Sequence, residues 1–257
     1  MKKSNDPVSQ RLLRKGALVE ETYLLFRNWD FKGTLEANFE RNFDGHFRTV
    51  AWGTEVKATL RRRFRNADLV APLIVAAKRG LPLEEWRHCL LLWIGLHERL
   101  YREFALDWLY PEFEKGRYQV KPNEVQEFVR TLWRRINKDG APLSEYGVIR
   151  TARDLVRMAS DLGVLAGKGP AKNFSPPRMT DRCFLYYAHV LAEKVGGTSK
   201  VPVSKSWHLA LIRPEEVVET FLRLHQFRKL EYEVAGSLVQ LSLPCHSAKD
   251  YAERMVA

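Results

Sequence analysis

The sequence predicts a mainly α-helical chain: an N-terminal helical bundle over residues 1–118, then a helical, winged-helix-like domain over residues 119–257 carrying a small β-hairpin. Three observations carry this reading. Apolar residues recur at helical spacing through the first half. The stretch "YPEFEKGRYQVKPNE" (110–124), with two prolines and a glycine, interrupts that period and marks the boundary. Near the C-terminus "LEYEVAGSLVQLSL" alternates with period two around Ala235-Gly236-Ser237, as a hairpin does.

The elements follow in order. Leu18, Thr22, Leu25, Phe26 and Trp29 line one face of an opening helix, and Leu35, Phe39 and Phe43 repeat in the next. Thr54 is placed to cap a helix whose apolar stripe is Val56, Leu60 and Phe64 and whose outer face is "RRRFR". "LVAPLIVAAKRG" predicts a short buried helix ended by Gly80. Residues 84–108 then predict the longest and most apolar helix, with Trp86, Leu90, Trp93, Leu96, Leu100 and Phe104 as its seam. Past the boundary, Asn123 is placed to cap a helix carrying Val125, Phe128, Val129, Leu132 and Ile136, and the loop "NKDGAPLSEYG" follows. "AGKGPAKNFSPPRM" cannot be a helix interior. Thr180 caps a further helix, and Pro214 suits the first residue of another over 215–229.

The balance of 42 Lys and Arg against 31 Asp and Glu, a net charge of +11, favours a polyanionic partner. Three widely spaced cysteines without a CxxC pair argue against a disulfide framework or a cysteine zinc site, and suit a reducing cytoplasm. "MKKSNDPVSQR" is followed by no apolar stretch, which predicts no signal peptide. The longest apolar run, "CLLLWIGL" (89–96), falls far short of the ~20 residues of a membrane span.

Two basic constellations stand out. In "SEYGVIRTARDLVRMASDLGVL" (144–165), Arg150, Arg153 and Arg157 fall within about 60° of one another at about 100° per residue. Val148, Ile149, Ala152, Leu155, Val156, Ala159 and Leu162 form the opposite side. A helix, a short turn, a second helix with a basic face and a Gly/Pro/Lys-rich excursion is the order of a winged-helix unit. There the second helix lies in the major groove and the wing touches the backbone. Lys168 and Lys172 would sit on the wing, within a stretch (164–205) of seven basic and two acidic residues. Against this, Asp154 and Asp161 share the polar face, and a mixed-charge face is commonly just solvated. The second constellation, Arg61, Arg62, Arg63 and Arg65, fits a phosphate clamp and equally a helix end near the negative pole of its dipole.

Enzymatic patterns are missing. No GxxxxGK[ST], GxSxG or GxGxxG occurs. His88 and His97 lie nine residues apart, about 180° around a helix, and cannot ligate one ion together. Cys89 suits a buried structural position, and no cofactor is expected.

Five segments together resemble the BrxA family of the BREX bacteriophage-defence systems, over residues 11–243. They are "GALVEET", "TEVKATLRRRFRNA", "LLLWIGLHERLYREFALDWL", "IRTARDLVRMASDLGVL" and "SWHLALIRPEEVVETFLRL". The resemblance implies a NusB-like helical portion, double-stranded DNA binding and no enzymatic activity. It also implies partnership with the BREX methyltransferase, phosphatase-like protein and ATPase. Its matching basic positions are Arg61, Arg62, Arg63, Arg150, Arg153 and Arg157, and it transfers no catalytic residues. A protein–protein adaptor and a NusB-like RNA-binding factor are the alternatives.

Overall fold

The computed structural model describes residues 10–65, 67–137, 141–236 and 238–256. Residues 1–9, Asn66, residues 138–140, Ser237 and Ala257 lie outside them, and with them the expected helix end near Asn66 and part of the expected loop "NKDGAPLSEYG". The architecture is mainly α-helical with two small antiparallel sheets.

The first half is a succession of helices: α1 (Gln10–Leu13), α2 (Val19–Arg27), α3 (Leu35–Phe43), α4 (Val50–Arg63), α5 (Ala67–Lys78) and α6 (Leu83–His97). α7 (Arg99–Phe104), a π-helical turn at Ala105–Leu109 and α8 (Tyr110–Glu114) complete it. Short hydroxyls start several of them: Thr34 accepts the Ala37 N–H at 3.1 Å and Thr49 that of Trp52 at 3.2 Å. Thr49, not Thr54, therefore caps α4, and Thr54 instead donates to the Val50 carbonyl inside the helix.

α6 is the central strut, with every residue from His88 to Leu96 buried. At Gly95 the segment Lys205–Ala210 crosses so closely that a Cβ would lie 2.5 Å from the Leu209 side chain. The single long helix expected over 84–108 is broken at Glu98, whose backbone is extended. The cause is a buried charge: Glu98 turns inward to meet Arg63 of α4.

The second half opens with β1 (Gln119–Val120), then α9 (Pro122–Ile136) and α10 (Glu145–Asp161), then β2 (Leu165–Ala166) and β3 (Lys172–Phe174). α9 begins at Pro122 rather than after an Asn123 cap, with the Glu124 carboxylate accepting the Lys121 N–H at 2.7 Å. Ser144 caps α10. The strands form one antiparallel sheet of order β1-β3-β2, pairing Gln119 with Asn173 and Leu165 with Phe174. α11 (Asp181–Val195), α12 (Pro214–Gln226), the hairpin β4 (Glu231–Ala235) and β5 (Leu238–Ser242), and α13 (Ala248–Arg254) follow. Thr180 caps α11 and Pro214 opens α12, as the sequence predicts. α13 packs on α5 and α11 on α6, so buried side chains from Leu13 to Met255 form one continuous cluster.

Candidate nucleic-acid interface

The two arginine constellations end in opposite environments. On α4, Arg61 gives two hydrogen bonds to Glu36, at 2.7 and 2.6 Å, with its guanidinium 5.6 Å from the centre of the Phe39 ring. That hydrogen bonding holds the Glu36 carboxyl below its usual range. Arg62 is half-buried on the side of α4 that also bears Glu55, and Arg65 is exposed. Arg63 corrects the expectation of a phosphate contact, because its side chain is fully buried. Its Nε donates to Glu98 at 2.5 Å, and its other nitrogens donate to the carbonyls of Ala17 at 2.6 Å, Gly16 at 3.0 Å and Leu12 at 3.2 Å. Burial raises the Glu98 carboxyl while the Arg63 charge opposes the rise.

α10 presents the converse. Its apolar back is buried at Val148, Ala152, Leu155, Val156 and Ala159, while Arg150, Arg153 and Arg157 are all exposed. Among the described residues, only Arg157 of the three has a carboxylate within 4.0 Å, Asp161 at that limit. Asp154 sits half-buried between them: burial raises its carboxyl, and Arg150, Arg157 and Arg14 oppose the rise. Tyr146, in the first turn of α10, is 70% exposed and shares the arginine face to within about 40°. Sequence reasoning passed over it, although its i, i+4, i+7 spacing to Arg150 and Arg153 was the available signal.

One link joins the two helices. Arg63 holds the carbonyls between α1 and α2 from the α4 side. Asp161, at the end of α10, accepts the Ala17 N–H of the same link at 3.0 Å. Gly16 has φ +72°, and a Cβ there would lie 2.1 Å from the Asp161 carboxylate, so this contact requires glycine. The Gln10 amide donates to Thr151 at 2.6 Å, which lays α1 along α10 and brings exposed Arg11 and Arg14 to its side. A cavity of about 280 Å³ opens beside the link, lined by Lys15, Trp52, Glu84, Arg87, Arg157 and Asp161 among others. On the β2–β3 turn Lys168 is exposed, whereas Lys172 is half-buried and donates to the Gly167 carbonyl.

Elsewhere some basic side chains are held by carboxylates. Glu85 of α6 accepts from Arg182 and from Thr180, at 2.7 and 2.6 Å, and the Arg182 hydrogen bond chiefly lowers its pKa to about 2. Cys183 meets Cys89 across the α6–α11 contact, and hydrogen bonding from the Cys89 thiol lowers the Cys183 thiol below its usual range. Among the described residues no group of three or more His, Cys, Asp or Glu could hold a metal ion. No helix among them is long and apolar enough to cross a membrane.

No curated protein matches the chain, and no solved structure does. The BrxA family model matches residues 10–189, which take in both arginine helices and the three-stranded sheet. With more than half of its length in that match, the chain belongs to the BrxA family and is a component of a BREX defence system.

Proposed function

We propose that this protein is a non-enzymatic component of its BREX system that binds double-stranded DNA, with α10 in the major groove. The observation that carries the reading is the exposed face of Arg150, Arg153 and Arg157 on a helix fixed from behind by a buried apolar back. The surrounding order, β1, α9, α10, β2, basic turn and β3, supports a winged-helix reading, in which the second helix docks this way. Lys168 and Lys172 then lie on the wing, Arg11 and Arg14, on and just after α1, flank α10, and Arg62 and Arg65, on and just after α4, are further candidate phosphate contacts. Arg61 and Arg63 take no part, because Glu36 and Glu98 occupy them.

Affinity of this kind is dominated by counterion release, with about −0.9 in the slope of log K against log salt for each phosphate neutralised. A fluorescence anisotropy titration of a duplex across salt tests it. Binding that weakens steeply with salt supports the reading, and salt-independent binding, or none at low salt, rejects it. Duplex RNA of the same sequence as competitor separates DNA binding from the RNA-binding alternative.

A specific surface favours a second, compatible role as adaptor to other BREX proteins. Val218 and Leu222 stay exposed one turn apart on α12, in a region beyond the family match. Co-purification with a BREX protein, lost on Leu222→Glu, tests that role.

A further inference from the structure

We infer that the duplex-binding surface has two rows, with the α1 segment lying along α10 as a second line of phosphate anchors, and that Asp161 is the residue that positions it. This rests on the duplex-binding reading above and adds to it the device that assembles the surface.

α1 cannot hold its place alone. A helix of four residues has too few internal hydrogen bonds to be stable in isolation, so its position comes from its contacts. Leu12 and Leu13 are buried, while Arg11 and Arg14 are exposed. Two hydrogen bonds fasten the segment to α10 at separate points. The Gln10 amide donates to Thr151 at 2.6 Å, and the Ala17 N–H donates to Asp161 at 3.0 Å. Thr151 and Asp161 are ten residues apart, about 15 Å along the helix. The segment from Gln10 to Ala17 therefore runs beside α10 over that length. Between the two fastenings it carries Arg11 and Arg14, and α10 carries Arg153 and Arg157. Four guanidinium groups over about 15 Å match the charge spacing of one DNA strand, about 3.4 Å per phosphate.

The fastening at Asp161 is the tighter one. No side chain fits between the link and α10: a Cβ on Gly16 would lie 2.1 Å from the Asp161 carboxylate and 3.4 Å from Arg157 Nε. From the opposite side, Arg63 grips the same link through the Leu12, Gly16 and Ala17 carbonyls. Asp161 also lies 4.0 Å from Arg157, so its negative charge stands at the edge of the proposed phosphate-binding face. By charge alone it opposes a polyanion. Its hydrogen bond to Ala17 acts in the other direction, by holding Arg11 and Arg14 beside α10. The two effects differ in sign, which makes them separable.

Anisotropy titration of a labelled duplex across salt, on the full chain, tests this. Asp161→Ala removes the acceptor and the negative charge together. Charge alone predicts that this variant binds more tightly. Release of the α1 segment predicts roughly twentyfold weaker binding and a salt slope shallower by about 2, and this is the expected result. Asp161→Asn keeps an oxygen for the Ala17 N–H and is expected to bind at least as well as wild type. Replacing Arg11 and Arg14 by Ala is expected to reproduce the Asp161→Ala loss. Adding Asp161→Ala to that pair is then expected to change affinity by about twofold or less, since both changes remove the same contacts. Gln10→Ala loosens the other fastening and is expected to weaken binding several-fold. It keeps the test decisive where Asp161→Ala does not fold.

Asp161→Ala that binds as tightly as wild type, or more tightly, overturns the inference. An equal loss in Asp161→Asn overturns it too, as do fully additive losses in the combined variant or unchanged affinity in Gln10→Ala. Each of these leaves duplex binding standing. Wild-type protein that binds no duplex at low salt removes the duplex-binding reading and this inference together.

Discussion

The arginines of α4 and those of α10 make an instructive pair. The α4 run is the denser of the two in sequence, with four arginines in five positions, yet the fold pairs two of them with its own carboxylates. Arg61 is held by Glu36, and Arg63 is sunk against Glu98 and three backbone carbonyls. The sparser α10 set is exposed throughout. The density of a basic run therefore says less about an interface than the question of which acids and carbonyls the fold brings beside it. A buried guanidinium is tolerated only when its donors are satisfied, and Arg63 meets that condition with four acceptors.

This contrast can be broken by experiment. The largest effect is expected at Arg63. Replacement by Ala leaves the Glu98 carboxylate uncompensated in the interior and frees the carbonyls of Leu12, Gly16 and Ala17. A loss of about 3–5 kcal/mol in urea unfolding is expected. A loss below about 1 kcal/mol would show that the α4 run is not structural. Next comes the α10 triple change of Arg150, Arg153 and Arg157 to Ala. It is expected to lower duplex affinity roughly a hundredfold and the salt slope by about 3, with helical circular dichroism unchanged.

A smaller effect is expected at Glu85, which joins α6 to α11 through Arg182. Its pKa falls from 4.5 to about 2 in the folded chain, so its contribution is complete above about 4.5 and fades as pH drops toward 2. The stability gap between wild type and Glu85→Gln should therefore shrink over that range, and a gap that widens on acidification contradicts the assignment. The smallest effect is reserved for Arg61→Ala. Both partners of that pair are half-exposed, and exposed pairs contribute about 1 kcal/mol or less. Duplex affinity should stay within about twofold of wild type, in contrast with the α10 change.

Much of the fold was legible in the residues. The apolar stripes of α2, α4 and α6, the start of α12 at Pro214, the Thr180 cap and the C-terminal hairpin all follow from local spacing and chemistry. The three-stranded sheet was not, since strands of two or three residues are too short to show an alternating pattern. The break at Glu98 was hidden for a different reason: it depends on Arg63, 35 residues away in sequence. The same limit applies to the candidate interface. Helical spacing places Arg150, Arg153 and Arg157 on one side of α10, but it does not say that Arg63 is covered.

Arginine-selective chemical labelling with and without saturating duplex, read residue by residue by mass spectrometry, bears most directly on the proposed surface. Protection of Arg150, Arg153 and Arg157, with Arg61 labelled equally in both states, is the predicted pattern. Protection of Arg61 while the α10 arginines stay reactive would contradict it and move the DNA to the other helix.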